Sequence, residues 1–388
     1  MKYNFDEIVN RWGTDSIKYD GPKAEGAKDY IPMWVADMDF KTPQPIINAI
    51  HEMLENGVLG YTHPADEWAT TIQDWVKRRY GWNIKTEELI FTPGIVRGLT
   101  FAINCFSNPE DKILMMAPVY PPFFNVPALN KREVVFTKLS IIDNQYRIDF
   151  DQFEKDLQGC KVFILCNPHN PGGRVWTKEE LMRLADICAK HNVLVISDEI
   201  HADLTFPAYQ HIPFAMASET ANLNTIVFMA PSKTFNMPGL ASSYAIIPNP
   251  KLRTIYQTYV EALDVVSGHM FSYKPLVAAY TSCDDWLEQS IAYVEGNISY
   301  VKSFLKEYMP KLTMIDPQAS FLIFLDCRNL GLSDEQLKVF FEKEAGLILN
   351  SGISFGPGGA GFMRLNVGCS KLLLERAMKQ LHQAYLKL

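Results

Sequence analysis

The chain has 388 residues, 47% of them hydrophobic, with 37 Lys+Arg against 44 Asp+Glu and a net charge of −7. That is material for about two domains with a large core, and a mildly acidic balance with no block of like charge argues against a nucleic-acid-binding surface. No run approaches the ~18 apolar residues of a membrane helix, and the seven cysteines, odd in number and without a CxxC pair, suit reduced thiols in a cytoplasmic protein and give no metal-site spacing.

At the N-terminus Asp6, Glu7 and Arg11 interrupt the apolar residues, so no signal-peptide core is expected. Pro43 after Thr42 reads as a first-turn proline opening a helix toward Leu54. Seven short apolar runs follow, at 89–92, 112–117, 134–138, 162–166, 193–197, 225–230 and 244–247. Longer helical patterns separate most of them. Thr177-Lys-Glu-Glu180 is a capping box ahead of a Leu181, Leu184, Ala185 stripe. Most runs are apolar throughout, as strands covered by helices on both faces are. The pattern predicts an α/β protein with a large, seven-stranded, mainly parallel sheet. After Val266 the texture changes to a helix at 286–308, a strand at 321–326, a helix at 333–345, a strand at 362–366 and a last helix from Ser370. The expected division is a large domain at 43–285 and a smaller α+β domain formed by 1–42 plus 286–388.

Ligands of open α/β sheets sit outside the carboxyl ends of the strands, and five strand ends here are unusual. The first ends in Thr92-Pro-Gly94 and opens a helix at Ile95, so the N–H groups of Ile95 and Val96 can hold a phosphate. The second ends in Pro118-Val-Tyr-Pro-Pro122, a stiff frame for a stacking ring at Tyr120. The fourth ends in Asn167-Pro-His-Asn-Pro-Gly-Gly173, which presents the amide of Asn170 as a donor. The fifth leads into Asp198-Glu-Ile-His201; a carboxylate there is costly unless paired, and a protonated pyridine nitrogen is a suitable partner. His201 either helps hold a ring oxygen or orients Asp198. The sixth leads into Pro231-Ser-Lys-Thr-Phe235, where burial disfavours a charged Lys233 and frees its amine for a Schiff base, with Ser232 in reach of a phosphate.

Taken singly, each feature has an ordinary explanation: a loop, a core tyrosine, a turn, a satisfied histidine, a solvated lysine. Together they are the parts required by one cofactor, pyridoxal 5′-phosphate (PLP), which needs a lysine, a carboxylate for its ring nitrogen, a donor for its phenolate, a ring stack and a phosphate cup.

The sequence resembles the fold-type-I PLP enzymes of the aminotransferase class I/II superfamily, in the branch of MalY/PatB-type cystathionine β-lyases. The matching stretches are Pro32-Met-Trp-Val-Ala-Asp-Met-Asp-Phe40, Gly60-Tyr-Thr62, Asn167-Pro-His-Asn-Pro171, Ser197-Asp-Glu-Ile-His201, Ser232-Lys-Thr-Phe-Asn236 and Phe362-Met-Arg-Leu-Asn366. The resemblance implies Lys233 as the Schiff-base lysine, Asp198 and Asn170 as partners of the ring nitrogen and phenolate, Tyr120 as the stacking ring, and Gly94, Ile95 and Val96 as the phosphate cup. It implies Arg364 as the grip on the substrate α-carboxylate, and Tyr61 as a residue that reaches the phosphate of the partner subunit in a homodimer. Trp34 either packs in the core or lines the substrate pocket. The implied reaction is β-elimination of a sulfur amino acid to pyruvate, ammonia and a thiol. Transamination is the alternative, and a non-catalytic PLP-binding protein a third reading. Two departures concern the phosphate: Ala230 stands where many aminotransferases have a hydroxyl, and Ala241 where they have an arginine.

Overall fold

The computed structural model describes residues 2–22 and 30–388. Residues 23–29, part of the expected N-terminal segment, lie outside the described residues.

The seven expected strands form one sheet: β1 (Leu89–Thr92), β2 (Lys112–Ala117), β3 (Glu133–Lys138), β4 (Cys160–Cys166), β5 (Leu194–Asp198), β6 (Thr225–Met229) and β7 (Ser243–Ile246). Their order is β1-β7-β6-β5-β4-β2-β3. Only β7 runs antiparallel, between β1 and β6. Most of the strands are apolar over nearly their whole length because both faces are covered, yet alternation still sorts their side chains. Ile113, Met115, Ile164, Ile196 and Phe228 face one way, onto the helix Ile95–Phe106. Leu114, Met116, Phe163, Leu165 and Val195 face the other way, with Trp176, Leu181 and Leu184. Each such side chain contributes roughly 1.5–3 kcal/mol on burial.

The helix Lys178–Lys190 begins as its sequence indicates: the Thr177 hydroxyl accepts from the Glu180 N–H at 3.2 Å, and the Glu180 carboxylate accepts from the Thr177 N–H at 2.8 Å. The first long helix spans Gln44–Glu55, so Pro43 occupies the cap position and Pro45 the first turn.

A second sheet of four antiparallel strands follows: β8 (Thr313–Met314), β9 (Leu322–Asp326), β10 (Asn350–Ser351) and β11 (Phe362–Asn366), in the order β8-β9-β11-β10. Helices Asp284–Tyr308 and Lys371–Tyr385 accompany it. The helix expected at 333–345 is α-helical only at Asp334–Val339 and then passes into a π-helical turn, Phe340–Glu344. The N-terminal stretch joins this region: Ile31–Pro32 pairs in parallel with Leu347–Ile348, and Phe5 packs against Phe40, Trp286 and Tyr293.

Candidate active site

One cavity of about 390 Å³ collects the unusual strand ends. Gly94, Ile95 and Val96 after β1, Tyr120 after β2, Asn170 after β4, Asp198 and His201 at and after β5, and Ser232 and Lys233 after β6 all line it. Strand register brings them together. Cys166, the last residue of β4, pairs with Asp198, and Asp198 pairs with Phe228 near the end of β6.

Asp198 closes β5 and is 6% exposed. Its Oδ1 accepts the Ile200 N–H at 3.0 Å; no hydrogen bond is made by Oδ2 among the described residues. Burial pushes its pKa up to about 7, Glu199 adds to the rise, and the Ile200 N–H and the Lys233 charge oppose it. This is a carboxylate removed from water without a cation in contact.

Lys233 lies in the short helix Pro231–Thr234 after β6. Burial pulls its pKa down to about 8, with Arg364 in the same direction and Asp37 and Asp198 against it. Its amine is therefore far easier to deprotonate than that of an exposed lysine. The turn that carries it is anchored from behind by Asp203, which is buried. Asp203 accepts from the Thr234 hydroxyl at 2.9 Å, from the Trp75 indole at 3.1 Å and from the Tyr80 hydroxyl.

On the other side of Lys233 runs a backbone strap, residues 34–40, whose carbonyls are held almost one by one. Arg364 donates to the carbonyl of Trp34, Asn366 to those of Val35 and Asp37, Lys233 to that of Ala36 at 2.5 Å, and Asn236 to those of Met38 and Phe40. Asn236 also accepts the Met38 N–H, from a left-handed backbone conformation with φ 53°.

Asn170 is buried, and its Oδ1 accepts from Arg364 at 3.3 Å. That bond leaves its Nδ2 without a partner among the described residues, a donor available to the cavity. Tyr120 stands on the cavity wall with Phe123 edge-on behind it, ring centroids 6.0 Å apart. His201 is buried with its Nδ1 unpartnered. Burial, then the charges of Lys233 and Arg364, pull its pKa down to about 3, so the ring is neutral at physiological pH.

The β1 end of the cavity is rich in donors. Gly94, at φ 102°, adopts a conformation that strains any other residue. Its N–H is taken by the Ser243 hydroxyl at 3.0 Å. The N–H groups of Ile95, Val96 and Arg97, in the first turn of their helix, have no partner among the described residues. Ser232, 7% exposed, makes no side-chain hydrogen bond there either.

Arg364 sits on the central strand β11, opposite Phe324 and Asn350. It is 5% exposed, with its guanidinium over the Phe355 ring at 5.0 Å. It donates to Asn170, to the Trp34 carbonyl at 2.8 Å and to Asn350 at 2.7 Å, and its Nε has no partner. No carboxylate lies within ion-pair distance among the described residues, and burial pulls its pKa down to about 10.

Three expected residues do not line this cavity: Arg364 adjoins it through Asn170, and Trp34 and Tyr61 stand apart. The Trp34 indole N–H is spent on the Lys18 carbonyl at 3.0 Å, and Trp34 lines another cavity with Asn350 and Met363. Tyr61 is fully exposed, beside exposed Val58 and Leu59 in the segment between two helices. Three groups at the site carry no obvious sequence signal: the Ala36 carbonyl, Asp203, and Arg97, which also lines the cavity.

The sequence model described as Aminotransferase class I and II matches residues 28–381. The chain belongs to this family. It is 39% identical to cystathionine beta-lyase PatB of Bacillus subtilis (strain 168), over 98% of this chain and 99% of that protein. It is 30% identical to protein MalY of Escherichia coli (strain K12), with 98% of each covered. Its fold matches cystalysin from Treponema denticola with a TM-score of 0.95 and 34% identity, covering 100% of this chain and 99% of that one. The cystalysin structure contains a PLP cofactor. Within the family, these relatives place the chain in the PatB/MalY branch. The donor set here fits PLP: an amine of lowered pKa for the aldehyde, an unpaired carboxylate for the ring nitrogen, a free amide donor for the ring oxygen, and unpaired N–H and hydroxyl groups for the phosphate.

Proposed function

We propose that this chain is a PLP-dependent carbon–sulfur lyase that releases a thiol, pyruvate and ammonia from cystathionine, cystine or a cysteine S-conjugate. The observation that carries this reading is the convergence of Lys233, Asp198 and Asn170 on one cavity at the carboxyl ends of the sheet. PatB-type relatives support sulfur elimination as the reaction.

When bound, PLP supplies an electron sink for the negative charge left at the substrate α-carbon. The protein's own groups do the rest. Lys233 holds the cofactor through Nζ and, as a free amine, takes the α-proton there; a pKa near 8 suits both tasks. Asp198 would pair with the protonated ring nitrogen, and the Asn170 Nδ2 would donate to the ring oxygen. Neutral His201 and Tyr120 would hold the ring, Tyr120 by stacking. Gly94, Ile95, Val96 and Ser232 would hold the phosphate, joined by Tyr61 of the partner subunit in a homodimer. Arg364 receives the substrate α-carboxylate bidentately. Residues 43–285 form the cofactor-holding unit, and 1–42 plus 286–388 the smaller one. All seven cysteines are unpaired, which suits the reducing cytoplasm.

The test is incubation of the PLP-loaded protein with L-cystathionine and no keto acid. Stoichiometric pyruvate and free thiol are expected. Turnover only when a keto acid is added makes the protein an aminotransferase, and PLP binding without turnover of any amino acid makes it a non-catalytic binder.

A further inference from the structure

The phosphate end of the cavity lacks the cation that position 241 supplies in many aminotransferases, because Ala241 lines the wall there. A phosphate dianion held by neutral donors alone is held weakly. The structure offers one cation in the right place. Arg97 is the third residue of the helix Ile95–Phe106, directly after Ile95 and Val96, and it lines the same cavity.

Its present surroundings do not account for it. A cation in the first turn of a helix opposes the helix dipole. No carboxylate lies within ion-pair distance of Arg97 among the described residues. Its one side-chain hydrogen bond is to the Pro93 carbonyl, at 2.6 Å. That bond folds the side chain back toward Pro93-Gly94, the entrance of the phosphate cup, and leaves the other guanidinium N–H groups unassigned. A second observation marks the same end as a ligand site: the hydroxyl of Ser232, a residue nine-tenths buried and lining this cavity, has no hydrogen-bond partner among the described residues. An anion placed there would satisfy the Ser232 hydroxyl, the free N–H groups of Ile95 and Val96, and the Arg97 charge together.

We infer that Arg97 is a phosphate-binding residue of the cofactor site and supplies from the β1 side the positive charge that Ala241 does not supply. The inference rests on the PLP reading of the cavity. It goes beyond that reading by making the affinity for the phosphorylated cofactor depend on a residue outside the matching motifs.

The test uses full-length apoprotein titrated with PLP and, separately, with pyridoxal, followed by quenching of tryptophan fluorescence. Arg97→Gln should weaken PLP binding about 10- to 100-fold, the scale of a hydrogen bond to a charged group, and leave pyridoxal binding within about twofold. Arg97→Lys, which keeps a point charge, should fall between wild type and Arg97→Gln. The exposed position of Arg97 lets both variants fold, and an apoprotein melting temperature no lower than wild type checks this. Equal PLP affinity in wild type and Arg97→Gln overturns the inference, as does an equal loss for PLP and pyridoxal. Failure of wild type to bind PLP at all would instead overturn the reading of the cavity.

Discussion

Replacing Asp198 by Asn gives a stability change whose sign depends on pH and on the cofactor. In the cofactor-free protein the Asp198 pKa is about 7, against an ordinary value of 3.8. Burial raises it, so the folded state binds the proton more tightly than the unfolded chain does. Its contribution is therefore most favourable below pH 4 and is lost as pH rises through 7. With 1.36 kcal/mol per pKa unit, the ionised carboxylate costs the folded apoprotein about 4 kcal/mol at pH 8.5 and about 2 kcal/mol at pH 5.5. Asparagine keeps the acceptor for the Ile200 N–H and carries no charge. Apo Asp198→Asn should therefore gain about 2 kcal/mol on wild type between pH 5.5 and 8.5, read from urea denaturation of both proteins at the two pH values. With PLP bound the order should invert, because the ring nitrogen then pairs with the carboxylate and the amide cannot replace that charge. An apo difference that stays flat with pH, or a variant no less stable than wild type once loaded, would refute the idea that Asp198 is a buried charge awaiting a cation.

Lys233→Ala should abolish the borohydride-bleachable visible absorbance of the loaded protein; a trappable signal at another lysine contradicts the assignment. Because the folded pKa is lowered to about 8, capture of PLP by the apoprotein should speed up as pH rises through about 8 and level off above it. At that pH about half of Lys233 is neutral, against about 0.3% of an ordinary lysine. Arg364→Gln should lower kcat/KM for L-cystathionine by the ~2–5 kcal/mol of a buried charge pair, about 30- to 5,000-fold. It should hardly change inhibition by the analogue lacking the α-carboxylate; equal losses for both would count against a carboxylate grip. Asp203→Ala leaves the Trp75 indole and the Tyr80 and Thr234 hydroxyls without their acceptor. At ~1–3 kcal/mol per buried donor, it should destabilise the apoprotein by roughly 3 kcal/mol or more in urea denaturation, and a loss under 1 kcal/mol would show that water replaces the carboxylate.

The large sheet was legible because its strands are uninterrupted apolar runs ended by Pro, Gly, Asn or Asp. The runs at 89–92 and 112–117 match to the residue, as does the strand at 362–366 of the second sheet. The start of β4 was missed because Lys161 breaks the apolar run: its side chain is exposed, and the register shifts there, with Cys160 opposite Lys112 and Val162 opposite Ile113, so that Lys161 is bulged out of the ladder. The π-helical turn at Phe340–Glu344 was not legible: an α-helix and a π-turn differ by one hydrogen-bond step, and the phenylalanines there suit either. Groups at strand ends were visible because position alone gives them meaning. Asp203 was not, because its importance comes from Trp75 and Tyr80 on a helix more than 120 residues earlier. The strap at 34–40 stood out as a motif, but its role lies in main-chain oxygens, which every residue carries.

That strap makes residues 34–40 an internal part of the site. Deleting it would strip acceptors from the side chains at positions 233, 236, 364 and 366 in one cut. A shortened chain would thus be damaged first at its chemistry and only afterwards at its edge.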